Sequence, residues 1–334
     1  MISASLSAAF CVGLASTGAM SQSQGSSSHH PRSGSGKSDA SKARRLERGI
    51  RALVPFKTSP FPYEGIVPST GKPFLDVVTE DRIGRYSARA GETYWADETY
   101  SDQRVLLDVP PGFMVGRAGV MVIYFHGNLA MLERDVIARQ QVPRQVAGAG
   151  LNSVLIAPQF ASDAYDSSAG QFWLQGAFSA FLDEASRALA RLVGSNRSQR
   201  FFRELPLVLV AYSGGYHPLA YVLHHAPHER IMGTLLLDAL YGDLDKFTAW
   251  LESRDAGFLV SSFTRSTADR HNDIRHALLD RQVQVLERLP PVLKPRDVVF
   301  LPAPAQSTHA NFVTQAWIED PITDVLVRIE GRRR

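Results

Sequence analysis

The sequence predicts an α/β fold, in which helices cover both faces of a mostly parallel sheet and a disordered leader precedes the folded part. Uncharged apolar runs, typical of strands buried on both faces, alternate with longer segments of helical spacing. Polar residues follow several of these runs, namely His126, Ser213, Asp238 and His309. Because ligands bind beyond the carboxyl ends of parallel strands, these residues mark the expected functional edge.

The elements can be assigned in order along the chain. The apolar runs predict strands at 104–109, 119–125, 152–158, 207–212, 231–238, 257–263 and 297–301. Apolar residues at helical spacing predict helices at 131–146, 171–193, 216–225 and 268–289. His309 then lies in the loop after the last strand, before a C-terminal helix. Each of the four polar residues therefore stands at or just beyond a strand end.

The segment before these strands, 53–103, is rich in proline and aromatic residues, with strands expected near Val77 and Tyr86. It is expected to cover one rim of the functional edge, and the family resemblance that follows implies that it supplies antiparallel edge strands. Two further segments, 160–176 and 240–257, carry aromatic residues that either contact substrate or fill the core under a cap. No recognisable signature in them identifies a substrate.

One short motif points to chemistry. The residues Ala211-Tyr212-Ser213-Gly214-Gly215 nearly match G-x-S-x-G, with Ala211 in place of the first glycine. A serine on a sharp turn between a strand and a helix projects its hydroxyl above the sheet, beside a helix N-terminus that favours negative charge. The motif therefore predicts a nucleophilic serine, although Ser213 could instead cap the helix that follows.

The series resembles the α/β-hydrolase superfamily over residues 104–330. It has His126-Gly127-Asn128 after an early strand, a serine turn in mid-chain, an acid after a later strand and a histidine after the last strand. The order nucleophile, acid, histidine is kept as Ser213, Asp238, His309. The acid departs from the usual pattern, since most members place it one strand later, where Asp269 and Asp273 lie here. Asp243 and Asp245, on the helix following Asp238, are weaker alternatives.

The resemblance implies a role for each site residue. Ser213 would attack an acyl carbon, His309 would carry the proton and Asp238 would orient the imidazole. The backbone N–H groups of Gly214 and Asn128 would bind the oxyanion. Tyr212 and Tyr241 are the expected substrate contacts, and His126 is expected to shape the oxyanion turn rather than to join the triad.

The implied activity is serine-dependent hydrolysis of an ester or amide through an acyl-enzyme. An acyltransferase using the same triad and a catalytically silent binding protein of the same fold are the alternatives. The substrate is a small molecule or a polymer bearing such a bond. No organic cofactor or metal is expected: His224 and His228 have a zinc-compatible spacing, but Pro227 should end the helix between them.

Composition excludes several classes of protein. The chain has 334 residues, of which 44% are hydrophobic, enough for one large core. Cys11 is the single cysteine, which rules out a disulfide framework. The net charge of +3 is mild, and no basic stripe interleaved with aromatics suggests nucleic-acid binding. No later apolar run is long enough for a membrane span. The oligomeric state is left open.

The N-terminus is expected to be separate from the domain. Residues 1–20 are small and apolar and are typical of a signal peptide, although a basic start is missing. Residues 21–50 read as a disordered basic linker rich in serine and glycine, followed by the hydrolase-like domain at 51–334. This organisation favours a periplasmic or secreted protein, and a cytoplasmic enzyme with an unprocessed leader is the alternative.

Overall fold

A computed structural model of the chain describes residues 43–279 and 283–331. The strands in these ranges are β1 (Arg44–Arg45), β2 (Ile50–Pro55), β3 (Val77–Val78), β4 (Ile83–Ser87), β5 (Glu92–Trp95), β6 (Arg104–Val109), β7 (Met114–Val115), β8 (Val120–Phe125), β9 (Ser153–Pro158), β10 (Leu207–Tyr212), β11 (Ile231–Leu237), β12 (Phe258–Phe263), β13 (Val285–Leu286) and β14 (Val298–Pro302). The predicted strands from residue 104 onward are all present, with ends that differ by at most one residue.

Helices connect these strands. The α-helices in the described part are α1 (Ala96–Thr99), α2 (Val142–Gly148), α3 (Ala177–Leu192), α4 (Gln199–Glu204), α5 (Tyr216–His225), α6 (Leu244–Glu252), α7 (Ala268–Leu279) and α8 (Pro321–Leu326). Short 3₁₀ turns and one π-helix, Leu132–Arg139, complete the connections. None of the helices within the described ranges is both long and apolar enough to cross a membrane.

Nine strands of the described residues form one sheet, in the order β13-β14-β12-β11-β10-β8-β9-β6-β2. The pairs from β13 to β9 are parallel, whereas β6 pairs antiparallel with both β9 and β2. This confirms the predicted mostly parallel, α/β-hydrolase-like sheet with antiparallel strands at its early edge. The carboxyl ends of β8, β10 and β11 are neighbours, so His126, Ser213 and Asp238 emerge side by side.

Both faces of the sheet are covered, as the uncharged strands predict. One core contains Phe181 of α3, Leu219 of α5 and Trp250 of α6, all buried. The opposite core contains Val146 of α2 and Val325 of α8, also buried. Because helices pack on both faces of the sheet, the strand ends that carry the loops are held in place.

Two predicted helices differ from the observed ones. The helix expected at 131–146 is divided into the π-helix and α2, and Gln141 between them has a left-handed φ of 50°. A continuous helix would hold Pro143 in its interior, where its ring would clash with the carbonyl four residues earlier. The helix expected at 171–193 is likewise a 3₁₀ turn, Gly170–Trp173, and then α3, with Gly176 between them at a φ of 82°.

The helix predicted at 268–289 is wrong in its last third. α7 ends at Leu279, and Val285 then pairs in parallel with Val298 as the edge strand β13. The apolar pair Val285 and Leu286, counted as part of a helical stripe, extends the sheet instead. A two-residue strand is too short for a period-2 pattern to reveal it.

The predictions for the N-terminal residues fall into two groups, up to residue 42 and after it. The expected signal peptide at 1–20 and the linker up to residue 42 lie outside the described residues. The later linker residues are part of the fold: Arg44 pairs with Val115 and donates to the Val193 carbonyl at 3.0 Å, and Leu46 is buried. The folded part therefore begins earlier than the expected residue 51.

Segment 53–103 supplies two structures. β2 joins the edge of the main sheet, while β3, β4 and β5 form a separate antiparallel sheet. The strands expected near Val77 and Tyr86 are β3 and β4. Gly91, with a φ of 74°, lies in the turn of the β4–β5 hairpin, where its N–H bonds the Ser87 carbonyl at 2.8 Å.

Candidate active site

The serine turn follows β10 directly. Ser213 has a φ of 52°, a left-handed conformation that a non-glycine residue rarely adopts. The 3₁₀ turn Ser213–Gly215 then leads into α5. The strained serine is held because the strand is buried on both sides and the helix is packed below it. Its hydroxyl is thereby aimed outward at the sheet edge, as the motif predicted.

Neighbouring glycines let the backbone close around this turn. A Cβ on Gly215 would collide with the backbone oxygen of Phe125 in β8, and one on Gly127 would lie 2.7 Å from the Ser213 Cβ. The first collision is with fixed backbone, so no side-chain movement relieves it. Gly215 is therefore required where α5 crosses the end of β8.

The variant Gly215→Ala is expected to be destabilised by about 1–3 kcal/mol, the usual range for forcing extra atoms into a packed site. Thermal denaturation measures the effect. Gly214→Ala is the matched control, because its Cβ would meet the side chains of Asn128 and Ser167, which can move. Equal melting temperatures for Gly215→Ala and the wild type would contradict this account of the turn.

Three predicted residues meet at the sheet edge. The Ser213 Oγ lies 2.8 Å from His309 Nε2, and His309 Nδ1 lies 2.7 Å from Asp238 Oδ2. Serine and aspartate follow the adjacent strands β10 and β11, while the histidine begins the 3₁₀ turn His309–Asn311 beyond β14. The Asp238 side chain is fully buried, whereas that of His309 is 41% exposed. The chain of hydrogen bonds thus runs from a buried carboxylate to a hydroxyl within reach of solvent.

Asp238 is ionised by its surroundings. Burial alone would raise its pKa, but hydrogen bonds from His309, Thr264 and Thr267 outweigh burial and lower the pKa to about 2. Thr267 Oγ1 donates to Oδ1 at 2.7 Å, and the Thr264 N–H donates to the same oxygen at 3.0 Å. Oδ2 faces the imidazole and also lies 3.0 Å from Thr264 Oγ1. A carboxylate fixed in this way favours the His309 tautomer that carries its proton on Nδ1.

The other candidate acids lie elsewhere. Asp269 and Asp273 are exposed on α7, where Asp273 is 3.4 Å from Arg270. Asp243 pairs with His217 at 2.7 Å and with Lys246 at 3.2 Å, and Asp245 pairs with Lys246. Asp238, after the earlier of the two possible strands, is the carboxylate that bonds His309.

The expected oxyanion donors lie beside Ser213. Gly214 is the next residue, at the start of the turn into α5, and the Asn128 side chain lies over it. Ser167 Oγ donates to Asn128 Oδ1 at 2.9 Å, and the Leu129 N–H donates to the Ala164 carbonyl at 2.9 Å. The loop at 160–168 therefore holds the turn after β8 in place. The backbone N–H of Asn128 therefore stays the predicted second donor to the oxyanion, beside the N–H of Gly214.

The two expected substrate contacts differ in position. Tyr212 is 5% exposed, its hydroxyl donates to the His309 carbonyl at 2.8 Å and its ring stacks on the imidazole. These contacts hold the histidine in place, and a substrate contact by Tyr212 stays a prediction. Tyr241 is half-buried beside the triad, with its hydroxyl 3.5 Å from both Asp238 Oδ2 and His309 Nδ1. It covers the histidine–aspartate pair on the solvent side.

A second group of residues, which was not predicted from the sequence, supports the loop that carries His309. Arg139 Nη1 donates to the Ala310 carbonyl at 3.2 Å, and its Nε donates to Asp135 at 2.8 Å. Asp135 is buried and also accepts from Arg134. These contacts join the π-helix to the residue after His309. An i, i+4 Asp–Arg pair is visible in the sequence, but its target 171 residues away is not.

His126 is structural, in line with its expected role. Burial lowers its pKa to about 4, so it is neutral. Its Nε2 accepts from the Phe160 N–H at 2.8 Å, which leaves the ring proton on Nδ1, 2.8 Å from the Gly127 carbonyl. The imidazole thus joins the turn after β8 to the loop after β9.

Several other histidines in the described part of the chain bond protein groups. His225 Nε2 lies 3.1 Å from the Trp173 carbonyl and His228 Nε2 lies 2.6 Å from the Leu223 carbonyl. His217 accepts from Trp173 Nε1 at 3.0 Å and pairs with Asp243. Across the described ranges, no group of three or more histidine, cysteine or acidic side chains is arranged to hold a metal ion.

Space for a ligand lies next to the acid end of the triad. A cavity of about 660 Å³ is lined by residues after β12 and β14, among them Thr264, Ser266 and Ser307. The Ser266 hydroxyl lies 3.4 Å from that of Tyr241. The cavity therefore borders the residues that surround Asp238 and His309.

The chain is similar to solved structures whose sequences are only distantly like its own. No family model and no curated protein matches the sequence. A feruloyl esterase module from Clostridium thermocellum is 14% identical, with a TM-score of 0.45, covering 86% of this chain and 95% of that one. An S-formylglutathione hydrolase from Agrobacterium tumefaciens is 11% identical, with a TM-score of 0.41, covering 75% of this chain and 95% of that one. A thermostable esterase from Pseudomonas putida is 10% identical, with a TM-score of 0.37, covering 76% and 79%. Likenesses this distant assign no function.

Proposed function

We propose that the protein is a serine hydrolase that cleaves an ester or amide bond through an acyl-enzyme on Ser213. The observation that supports this most directly is the continuous hydrogen-bond chain from Ser213 Oγ through His309 to the buried Asp238. A nucleophile bonded to a base, and a base bonded to an orienting acid, is the arrangement that activates a serine.

The first half of the reaction transfers the acyl group to the protein. Ser213 Oγ forms a bond to the carbonyl carbon while its proton passes to His309 Nε2. The Gly214 and Asn128 N–H groups are the proposed donors to the oxygen that gains negative charge. When the bond to the leaving group breaks, Nε2 gives the proton to the departing oxygen or nitrogen. Asp238 remains ionised and stabilises the charged imidazole.

Water completes the cycle. It attacks the acyl carbon and loses its proton to His309 Nε2, and the same proton then returns to Ser213 Oγ as the ester bond to serine breaks. Because the His309 side chain is 41% exposed, water can reach the imidazole. No external redox partner is needed for this balance of bonds and protons.

A fluorophosphonate probe is expected to label Ser213 covalently, since it reacts with an activated serine and not with an ordinary hydroxyl. Intact-mass and peptide mass spectrometry measure the adduct. Labelling should be lost in Ser213→Ala and kept in Ser266→Ala, which removes a nearby exposed hydroxyl. A folded wild-type protein that stays unlabelled, or labelling that survives in Ser213→Ala, would contradict the proposal.

A further inference from the structure

An arginine of the β4–β5 hairpin contacts the loop that packs on the turn after β8. Arg89 lies in the turn between Ser87 and Gly91, a turn closed by the bond from the Gly91 N–H to the Ser87 carbonyl and by one from the Ala90 N–H to Ser87 Oγ at 3.2 Å. The Arg89 guanidinium carbon lies 5.1 Å from the centre of the Tyr165 ring. This distance is that of a cation–π contact, which holds the charge at a defined place.

Tyr165 belongs to the loop over the oxyanion turn. The residue before it, Ala164, accepts from the Leu129 N–H, and Ser167 bonds the Asn128 side chain. The Tyr165 N–H donates to the Tyr94 hydroxyl at 3.1 Å. This bond joins the loop to strand β5 of the hairpin. The loop that Arg89 contacts is thus the one that holds the turn carrying Asn128.

The charge of Arg89 also acts on two tyrosines, Tyr241 and Tyr216. Burial raises the pKa of Tyr241, whose hydroxyl is 3.5 Å from His309 Nδ1, and the Arg89 guanidinium opposes that rise. Tyr216, three residues after Ser213, has its pKa raised by burial and by Asp243 and lowered by Arg270 and Arg89. Arg89 therefore adds positive charge to the surroundings of Tyr241 and Tyr216.

Arg89 lacks an acidic partner within the described ranges, where no carboxylate forms an ion pair with it, and its side chain is exposed. Its neighbours on the same hairpin differ: Arg82 pairs with Asp97 at 2.6 Å, and Arg85 lies 3.4 Å from Asp166. A planar guanidinium offers two parallel N–H donors to a carboxylate or phosphate. Arg89 keeps those donors available beside the site.

We propose that Arg89 binds an anionic group of the substrate, so that the preferred substrates are esters or amides that carry a negative charge near the scissile bond. The inference rests on the proposed serine hydrolase function and names the substrate class of that same site. Arg89 would be a specificity-determining residue: it touches the substrate and takes no part in moving the proton.

Matched pairs of esters test this proposal. One pair carries the charge on the acyl side: the p-nitrophenyl monoester of succinate and its methylated, neutral counterpart. The other carries it on the leaving group: 4-acetoxybenzoate and its methyl ester. The ratio of kcat/KM for the charged to the neutral ester is measured in wild type, Arg89→Met, Arg89→Lys and the control Arg200→Met. Arg200 is an exposed arginine of α4, paired with Glu204, and α4 leads into the opposite end of β10.

In at least one pair, Arg89→Met is expected to lower this ratio about 10- to 100-fold, the effect of losing a hydrogen-bonded charge contact. Arg89→Lys should keep part of the preference, and Arg200→Met should keep all of it. Unchanged ratios in both pairs, or equal losses for charged and neutral esters, would overturn the proposal while leaving the hydrolase intact. Failure of the hydrolase itself is distinct: neither neutral ester would be cleaved and no fluorophosphonate adduct would form.

Discussion

Replacing His309 by alanine is expected to lower kcat by about 10⁴- to 10⁶-fold, because the Ser213 hydroxyl then has no base to accept its proton. The imidazole touches both partners directly, at 2.8 Å to Ser213 Oγ and 2.7 Å to Asp238 Oδ2. Its side chain is 41% exposed, so the truncation leaves little buried space and the fold should be retained. Stopped or continuous assays with a neutral p-nitrophenyl ester measure the loss.

The double variant sharpens this test. Ser213→Ala alone should lower kcat by a similar factor, and the two changes together should lower it hardly further, because serine and histidine act as one unit. Multiplicative losses would mean that the two side chains contribute independently. His276→Ala is a matched control, since this histidine lies on α7, and it should stay within about twofold of wild type.

The strands and the positions of the triad residues could be predicted from sequence for a physical reason. A strand buried on both faces must be apolar throughout, so each polar residue at its end stands out, as Ser213 does after β10. Parallel strands then bring such ends together without further information. The breaks at Gln141 and Gly176 were harder to predict because the apolar spacing continues across them. Pro143 was the local signal for the first break.

The surroundings of the triad could not be predicted in the same way, because they depend on contacts between segments far apart in sequence. Arg139 bonds Ala310 and Ser167 bonds Asn128, and no periodic pattern of residues in the sequence indicates either contact. The hydroxyls of Thr264 and Thr267 follow the strand next to β11, which was a usable but weak signal for a carboxylate partner. The bond from the Tyr212 hydroxyl to the His309 carbonyl was not predicted, because the sequence does not show which way a side chain turns at a strand end.

The second prediction with a large expected effect concerns the aspartate that orients His309. Sequence left Asp238, Asp269 and Asp273 open, since each follows a strand that ends at the same edge. Asp238→Asn is expected to lower kcat by about 10⁴-fold. Asp269→Asn and Asp273→Asn, the same change at exposed positions of α7, should stay within about twofold of wild type.

The size of this effect follows from the hydrogen bonds to the Asp238 carboxylate. Thr267 Oγ1 and the Thr264 N–H donate to Oδ1, at 2.7 and 3.0 Å, whereas Thr264 Oγ1 lies between the two carboxylate oxygens, 3.1 Å from Oδ1 and 3.0 Å from Oδ2. An asparagine would therefore place its carbonyl oxygen at the Oδ1 position and turn its NH₂ group toward His309. Nδ1 would have to accept a hydrogen bond, so the ring proton would move to Nε2, which could no longer take the proton of Ser213. Wild-type turnover in Asp238→Asn, with the loss appearing in Asp269→Asn or Asp273→Asn, would show that another carboxylate orients the histidine during the reaction.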